Sequence, residues 1–329
     1  MRAESKAILR DSVISRRQGI LATDAKGIGL RLFWHILPLA GVLVLMGLLV
    51  AASGITRDQM VSVFEAVTIG HVAAFFAVTV AMQALSAAKW RMVMQHLPAG
   101  DSPPPLRSSA FLYTCLGAVL SFVLMPHVAK HAGRALGAKF HGGLPAGKSV
   151  AASLFEQVFD LVMIVVLAAF GAILLAPVLT PYIAGALGLG TAAVLFVLRR
   201  PQMVPARFHL ADLLALLRRP VALRLCAISL GFYLLTALRT FIVAIPAGIA
   251  LLPVEFFASF SLVQLSRLIA ITPMGLGVAD WTWASVLGLL HIPLALAAGF
   301  VILMRVLDLI ATLAAFALAV VLAKLVGRS

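Results

Sequence analysis

Eight apolar stretches decide what this chain can fold into. They run at about residues 32–52, 66–88, 107–126, 149–175, 181–198, 222–245, 255–272 and 294–322. A run of roughly 20 residues with few charges matches the hydrocarbon thickness of a bilayer when helical. Only a helix or a closed barrel satisfies its own backbone there. With 62% hydrophobic and 12% charged residues, and a mean hydropathy of +1.08, the chain carries far more apolar surface than a soluble core needs. It reads as an all-α polytopic membrane protein. Residues 32–329 form a single membrane domain, and residues 1–31 a basic tail that is either a surface-lying amphipathic helix or loose. Pro103-Pro104-Pro105, and later Pro201, Pro205 and Pro220, mark loops. A cleaved signal peptide is not expected, because its basic region would be 31 residues long. Cys115 and Cys226 both sit in apolar runs, which favours small buried side chains over a disulfide.

The net charge of +14 then becomes a topological signal rather than a sign of nucleic acid, because basic loops face the cytoplasm. Basic residues cluster in the N-tail, at Lys89/Arg91/Arg107, at Lys130/Arg134/Lys139/Lys148, in the 199–224 loop, and at Lys324/Arg328. If every apolar stretch crossed, the loops 127–148 and 199–224 would lie outside, against the rule. The conflict disappears if the third stretch turns near Pro126 and returns to its own side, and the seventh turns near Pro273 and does the same. Six full spans and two re-entrant hairpins remain, with both termini cytoplasmic in a bacterial-type inner membrane. Pro removes a backbone donor, and Gly275 and Gly277 permit tight turns, so the two tips are expected at the protein centre, facing each other.

The two hairpins belong to a repeat. Pro98-Ala99-Gly100 recurs as Pro246-Ala247-Gly248, Pro126 as Pro273, and the stretch Glu156 to Val162 as Met304 to Ile310, at offsets of 148, 147 and 148. The halves span approximately 66–175 and 222–322 and are expected to be inverted, an arrangement that puts substrate between the repeats.

Eight ionisable residues fall within or beside the apolar stretches: Arg134, Glu156, Asp160, Arg239, Arg267, Asp280, Arg305 and Asp308. Glu156 and Asp160 are i, i+4 on one helix face, and Arg305 and Asp308 are i, i+3. A charge at membrane depth costs at least about 2.5–3.5 kcal/mol, so such groups face protein or water and find partners. They either pin helices together, as Arg305 would with Asp280 or Asp160, or line a polar path. His127 and His131, with His141 nearby, have no acid close in sequence and are surrounded by Lys130, Arg134 and Lys139. They fit a wet, headgroup-facing loop better than a metal site. The Gly185–Gly190 cluster fits helix packing. No nucleophile constellation and no cofactor motif stands out, so no enzyme activity and no cofactor is expected.

Pro273-Met274-Gly275-Leu276-Gly277-Val278-Ala279-Asp280 resembles the Pro-x-Gly-x-Gly-x-x-Glu stretch of the flippase-like membrane family. That family includes the membrane region of lysylphosphatidylglycerol synthases. Glu156…Asp160 resembles its Glu-Arg-x-x-Asp element, with Gln157 for Arg, and Met304-Arg305-Val306-Leu307-Asp308 resembles it with Met for Glu. The family's first turn, Asn-x-x-x-Pro-x-x-x-Gly-Glu-x-x-Arg, is matched at Pro126 and Arg134. Lys130 and His131 stand where Gly and Glu are usual, the Asn is absent, and Asp280 replaces Glu. The resemblance implies movement of a lipid or lipid-linked headgroup between leaflets. The aminoacyl transfer of the synthases belongs to a separate soluble domain, which is not expected here.

The expected function is therefore headgroup translocation through a charged central cavity. The four arginines would meet phosphate, and the four carboxylates would hold them or meet a cationic group. The expected partners are membrane lipids with a charged headgroup, and a lipid-modifying enzyme if the chain is instead a non-transporting accessory subunit. A small-solute transporter of the same architecture is the other alternative.

Overall fold

The computed structural model describes residues 44–96, 106–141, 146–175, 177–181, 185, 220–269 and 272–326. The N-tail, most of the 181–198 stretch with Gly188 and Gly190, and residues 199–219 of the basic loop lie outside them. Among the described residues all regular structure is helical: α1 (Val44–Ser53), α2 (Arg57–Glu65), α3 (Ile69–His96), α4 (Arg107–Leu120), α5 (Pro126–His141), α6 (Ala146–Leu175), α7 (Pro220–Ala244), α8 (Pro253–Ile269), α9 (Val278–Leu289) and α10 (Leu294–Val326). Four of these, α3, α6, α7 and α10, have stretches long and apolar enough to cross a membrane, and α1 with α2 makes a fifth candidate, bent by 101° at Gly54-Ile55-Thr56. The bend has local causes. Gly54 takes φ +61°, and Thr56 caps α2 in a reciprocal capping box with Gln59.

α4, α5, α8 and α9 are only 14, 16, 17 and 12 residues long, shorter than the roughly 20 residues of an ordinary membrane-crossing helix. They pair as two helical hairpins, α4 with α5 and α8 with α9. Pro126 is the first residue of α5, the position where its missing N–H costs no helical hydrogen bond. The second turn is a single 3-10 turn, Pro273–Gly275, followed by Gly277 at φ +84°. α5 packs against that turn, so the two tips meet.

Around the tips, α3 packs on α7, α4 on α10, and α8 on α6. α6 illustrates the two faces. Leu154, Val158, Val162, Val166 and Phe170 recur every four residues and are exposed, whereas Phe155, Glu156, Phe159 and Ala152 are buried. The exposed aliphatic stripe is what a helix presents to acyl chains. Since lipid tails are as apolar as leucine, burial alone does not hold such helices together, and close contact through small residues does. The first hairpin shows this. A Cβ on Gly133 of α5 would lie 2.7 Å from the Gly117 nitrogen and the Tyr113 carbonyl oxygen of α4, and one on Gly137 would lie 2.6 Å from the Tyr113 ring. Gly133→Ala is therefore expected to destabilise the protein by about 1–3 kcal/mol through overpacking. Gly147→Ala, which meets nothing within 4 Å, should leave it unchanged or slightly more stable. Thermal unfolding of the two variants in detergent measures the difference.

A charged cavity between two helical hairpins

The buried charges gather in two clusters on either side of a cavity of about 300 Å³. In the first, three cations converge on α6. Glu156 Oε2 accepts from Arg134 Nη1 at 2.6 Å, and Glu156 Oε1 lies 2.8 Å from Lys130 Nζ and 3.4 Å from Lys89 Nζ. One turn on, Asp160 pairs with Lys89 and, at 3.4 Å, with Lys130. Arg134 and Glu156 are fully buried. Arg134 Nη2 also donates to the Ser86 carbonyl at 2.9 Å and its hydroxyl at 3.0 Å, and the guanidinium lies 5.6 Å from the Trp90 ring.

The second cluster has the same parts in another arrangement. Arg239 of α7 pairs with Asp308 of α10 at 2.9 Å and stacks over Phe75 at 5.1 Å. Arg305 of α10 reaches Asp280 of α9 through Nε at 2.9 Å and Nη2 at 2.5 Å. The other Asp280 oxygen accepts from the Gly277 N–H at 2.9 Å, so one carboxylate both closes the hairpin turn and holds an arginine of the long helix. Arg267, at the end of α8, forms no ion pair with a described residue, and its Nε is buried without a hydrogen-bond partner.

Six of the charged groups line the cavity: Lys130, Asp160, Arg239, Arg267, Arg305 and Asp308. Pro126 and Gly275 line it as well, so both hairpin tips border it. Arg134, Glu156 and Asp280 stand behind this lining as buried supports. Pro273 and Gly277 are buried within the second turn. Thus the i, i+4 pair Glu156/Asp160 shares a face, but only Asp160 opens on the cavity.

Two expectations need correction. Lys89 does not belong to a cytoplasmic loop cluster: α3 continues to His96, and Lys89 is 2% exposed within the first ion-pair cluster. His127 is not on a headgroup-facing loop but on α5, lining the cavity within 3.3 Å of Gln157. Lys130, read from sequence as a basic loop residue and a departure at the first tip, lies on α5 and is a member of the site. So are the uncharged Gln157, Tyr233 and Gln264. For Lys89 a signal existed: Ser86 and Lys89 are i, i+3 on one helix face, and Ser86 takes Arg134.

Bundled apolar helices enclosing an ionisable cavity define a multi-pass, all-helical membrane protein. The chain belongs to the family described as the lysylphosphatidylglycerol synthase TM region, which it matches over residues 35–315. No curated protein and no solved structure matches it.

Proposed function

We propose that this protein moves a lipid or lipid-linked headgroup between the leaflets of an inner membrane, through the cavity between its hairpins. The observation that carries the reading is the joint lining of that cavity by Pro126 and Gly275 from the two tips and by charges from both halves. The headgroup occupies the cavity while its acyl chains stay among the exposed aliphatic faces outside. Family membership supports a lipid-related role.

Two inverted copies of one unit account for the helix packing. Exchanging α3–α6 with α7–α10 turns the α4–α10 contact into the α8–α6 contact, the α5–α6 contact into α9–α10, and leaves α3–α7 unchanged. Ion pairs follow the same exchange. A cation of the first long helix meets a carboxylate of the last in each unit, Lys89 with Asp160 and Arg239 with Asp308, at sequence separations of 71 and 69 residues. The two hairpins are then re-entrant, and rocking of one unit against the other exposes the cavity to each side in turn.

The test of function is reconstitution in liposomes with labelled native lipids, followed by a leaflet-accessibility assay. Protein-dependent transfer of at least one lipid is expected; none for any native lipid ends the proposal. Topology is tested separately with cysteines at positions 139 and 324. Both are expected to react only from the cytoplasmic side, and reaction of residue 139 from the opposite side removes the re-entrant first hairpin.

A further inference from the structure

The geometry points to a phosphate-binding site at Arg267, which makes a net-anionic phosphate ester the class of headgroup this cavity selects. The inference rests on the proposed translocation path but concerns binding, which is measured independently of transfer. Among the described groups of the two clusters, six cations meet four carboxylates. The surplus of two positive charges also holds for the lining alone, where Lys130, Arg239, Arg267 and Arg305 face only Asp160 and Asp308. Both lining carboxylates are engaged, Asp160 by Lys89 and Lys130, Asp308 by Arg239. Among the described lining residues a cationic headgroup would find no free acid and a repelling field.

Arg267 is the cation left over. Its Nε is buried without a hydrogen-bond partner, and the side chain lines the cavity. A guanidinium nitrogen buried without an acceptor is costly, and the planar fork of the group matches two phosphate oxygens. Gln264, one helical turn earlier, and Tyr233 line the cavity too and carry polar side chains for a further phosphate oxygen. Lys130 supplies a second positive charge from the opposite tip. Arg267 is thus a specificity-determining residue that touches the ligand, whereas Arg134 and Lys89 act through carboxylates.

The test is binding to the purified full chain in detergent by isothermal titration, with dihexanoyl phosphatidylglycerol, dihexanoyl phosphatidylcholine and glycerol 3-phosphate as probes. The phosphatidylglycerol probe is expected to bind about tenfold or more tightly than the phosphatidylcholine probe, and Arg267→Gln to weaken it about tenfold, the effect of losing one charge-assisted contact. Arg267→Lys, which keeps the charge but not the fork, should lose less binding than Arg267→Gln. Preference for phosphatidylglycerol over glycerol 3-phosphate assigns the phosphate to a lipid; equal binding of the two assigns it to a soluble ester. Either outcome keeps the site. Equal affinity for the two lipids, or unchanged binding in Arg267→Gln, overturns it. If Arg267→Gln does not fold, the lipid preference and its loss on raising ionic strength, measured on the unaltered protein, decide. Selective binding without leaflet transfer would retain this site and remove the translocation reading.

Discussion

Glu156→Gln is expected to lower stability by about 3–5 kcal/mol, the range for breaking a buried ion pair from one side. Its carboxylate is the shared partner of Arg134, Lys130 and Lys89 at 2.6, 2.8 and 3.4 Å, and it has no exposure to solvent. Neutralising it leaves Arg134, also fully buried, with only the Ser86 oxygens and the Trp90 face. The measurement is the midpoint of thermal unfolding in detergent, followed by tryptophan fluorescence. Trp90 is a suitable reporter because it lies against the Arg134 guanidinium. Adding Arg134→Met to Glu156→Gln should recover part of the loss, since the stranded charge goes with it. Equal midpoints for Glu156→Gln and the unaltered protein would show that the three cations do not depend on this group.

Asp280→Ala should be comparably severe, for two separable reasons. The carboxylate neutralises Arg305 and also accepts the Gly277 N–H at the start of α9. Asp280→Asn keeps an oxygen for the N–H and loses only the charge. The alanine variant is therefore expected to be less stable than the asparagine variant by about 1 kcal/mol, the ordinary worth of a helix cap. Both variants should cut leaflet transfer by about tenfold or more, because Arg305 then loses its Asp280 carboxylate at the cavity lining and a bias of about 1.4 kcal/mol is a factor of ten. Adding Arg305→Met to Asp280→Asn should restore thermal stability but not transfer. Restoration of both would make the pair purely structural.

Some of this site was legible in the sequence because membrane depth makes charge conspicuous. Asp160, Arg239, Arg267, Arg305 and Asp308 stand out against apolar neighbours, and all of them line the cavity. Pro126 and Pro273 announced the turns because proline restricts where a helix can begin. Which charges would meet was less accessible. Arg134 and Glu156 are 22 residues apart and Lys89 and Asp160 are 71 apart, and helical periodicity carries no information over such distances. The Arg305–Asp280 pair was one of two options, and the alternative acid, Asp160, is engaged by lysines of its own half. Lys89 was misplaced because α3 runs on beyond its apolar stretch, and a lysine at the edge of such a stretch looks like a loop residue. Met304, standing where the first half has Glu156, is 1% exposed in the apolar core. Its neighbour Arg305 takes its acid from Asp280 of α9 instead.

The glycine seam between α4 and α5 has a mechanical consequence. Shear between packed helices works by small slips within a layer of interdigitated side chains. At Gly133 and Gly117 that layer is absent, and backbone faces backbone. With no side-chain layer there to rearrange, the two arms of this hairpin are expected to move together, from the Pro126 tip back to His141 and Arg107. Compliance is left to the turn at residues 121–125 and to the outer faces, where α4 meets α10 and α5 meets α6. Any movement of the hairpin as one unit is then expected at its seams with the long helices that hold Glu156, Asp160 and Asp308.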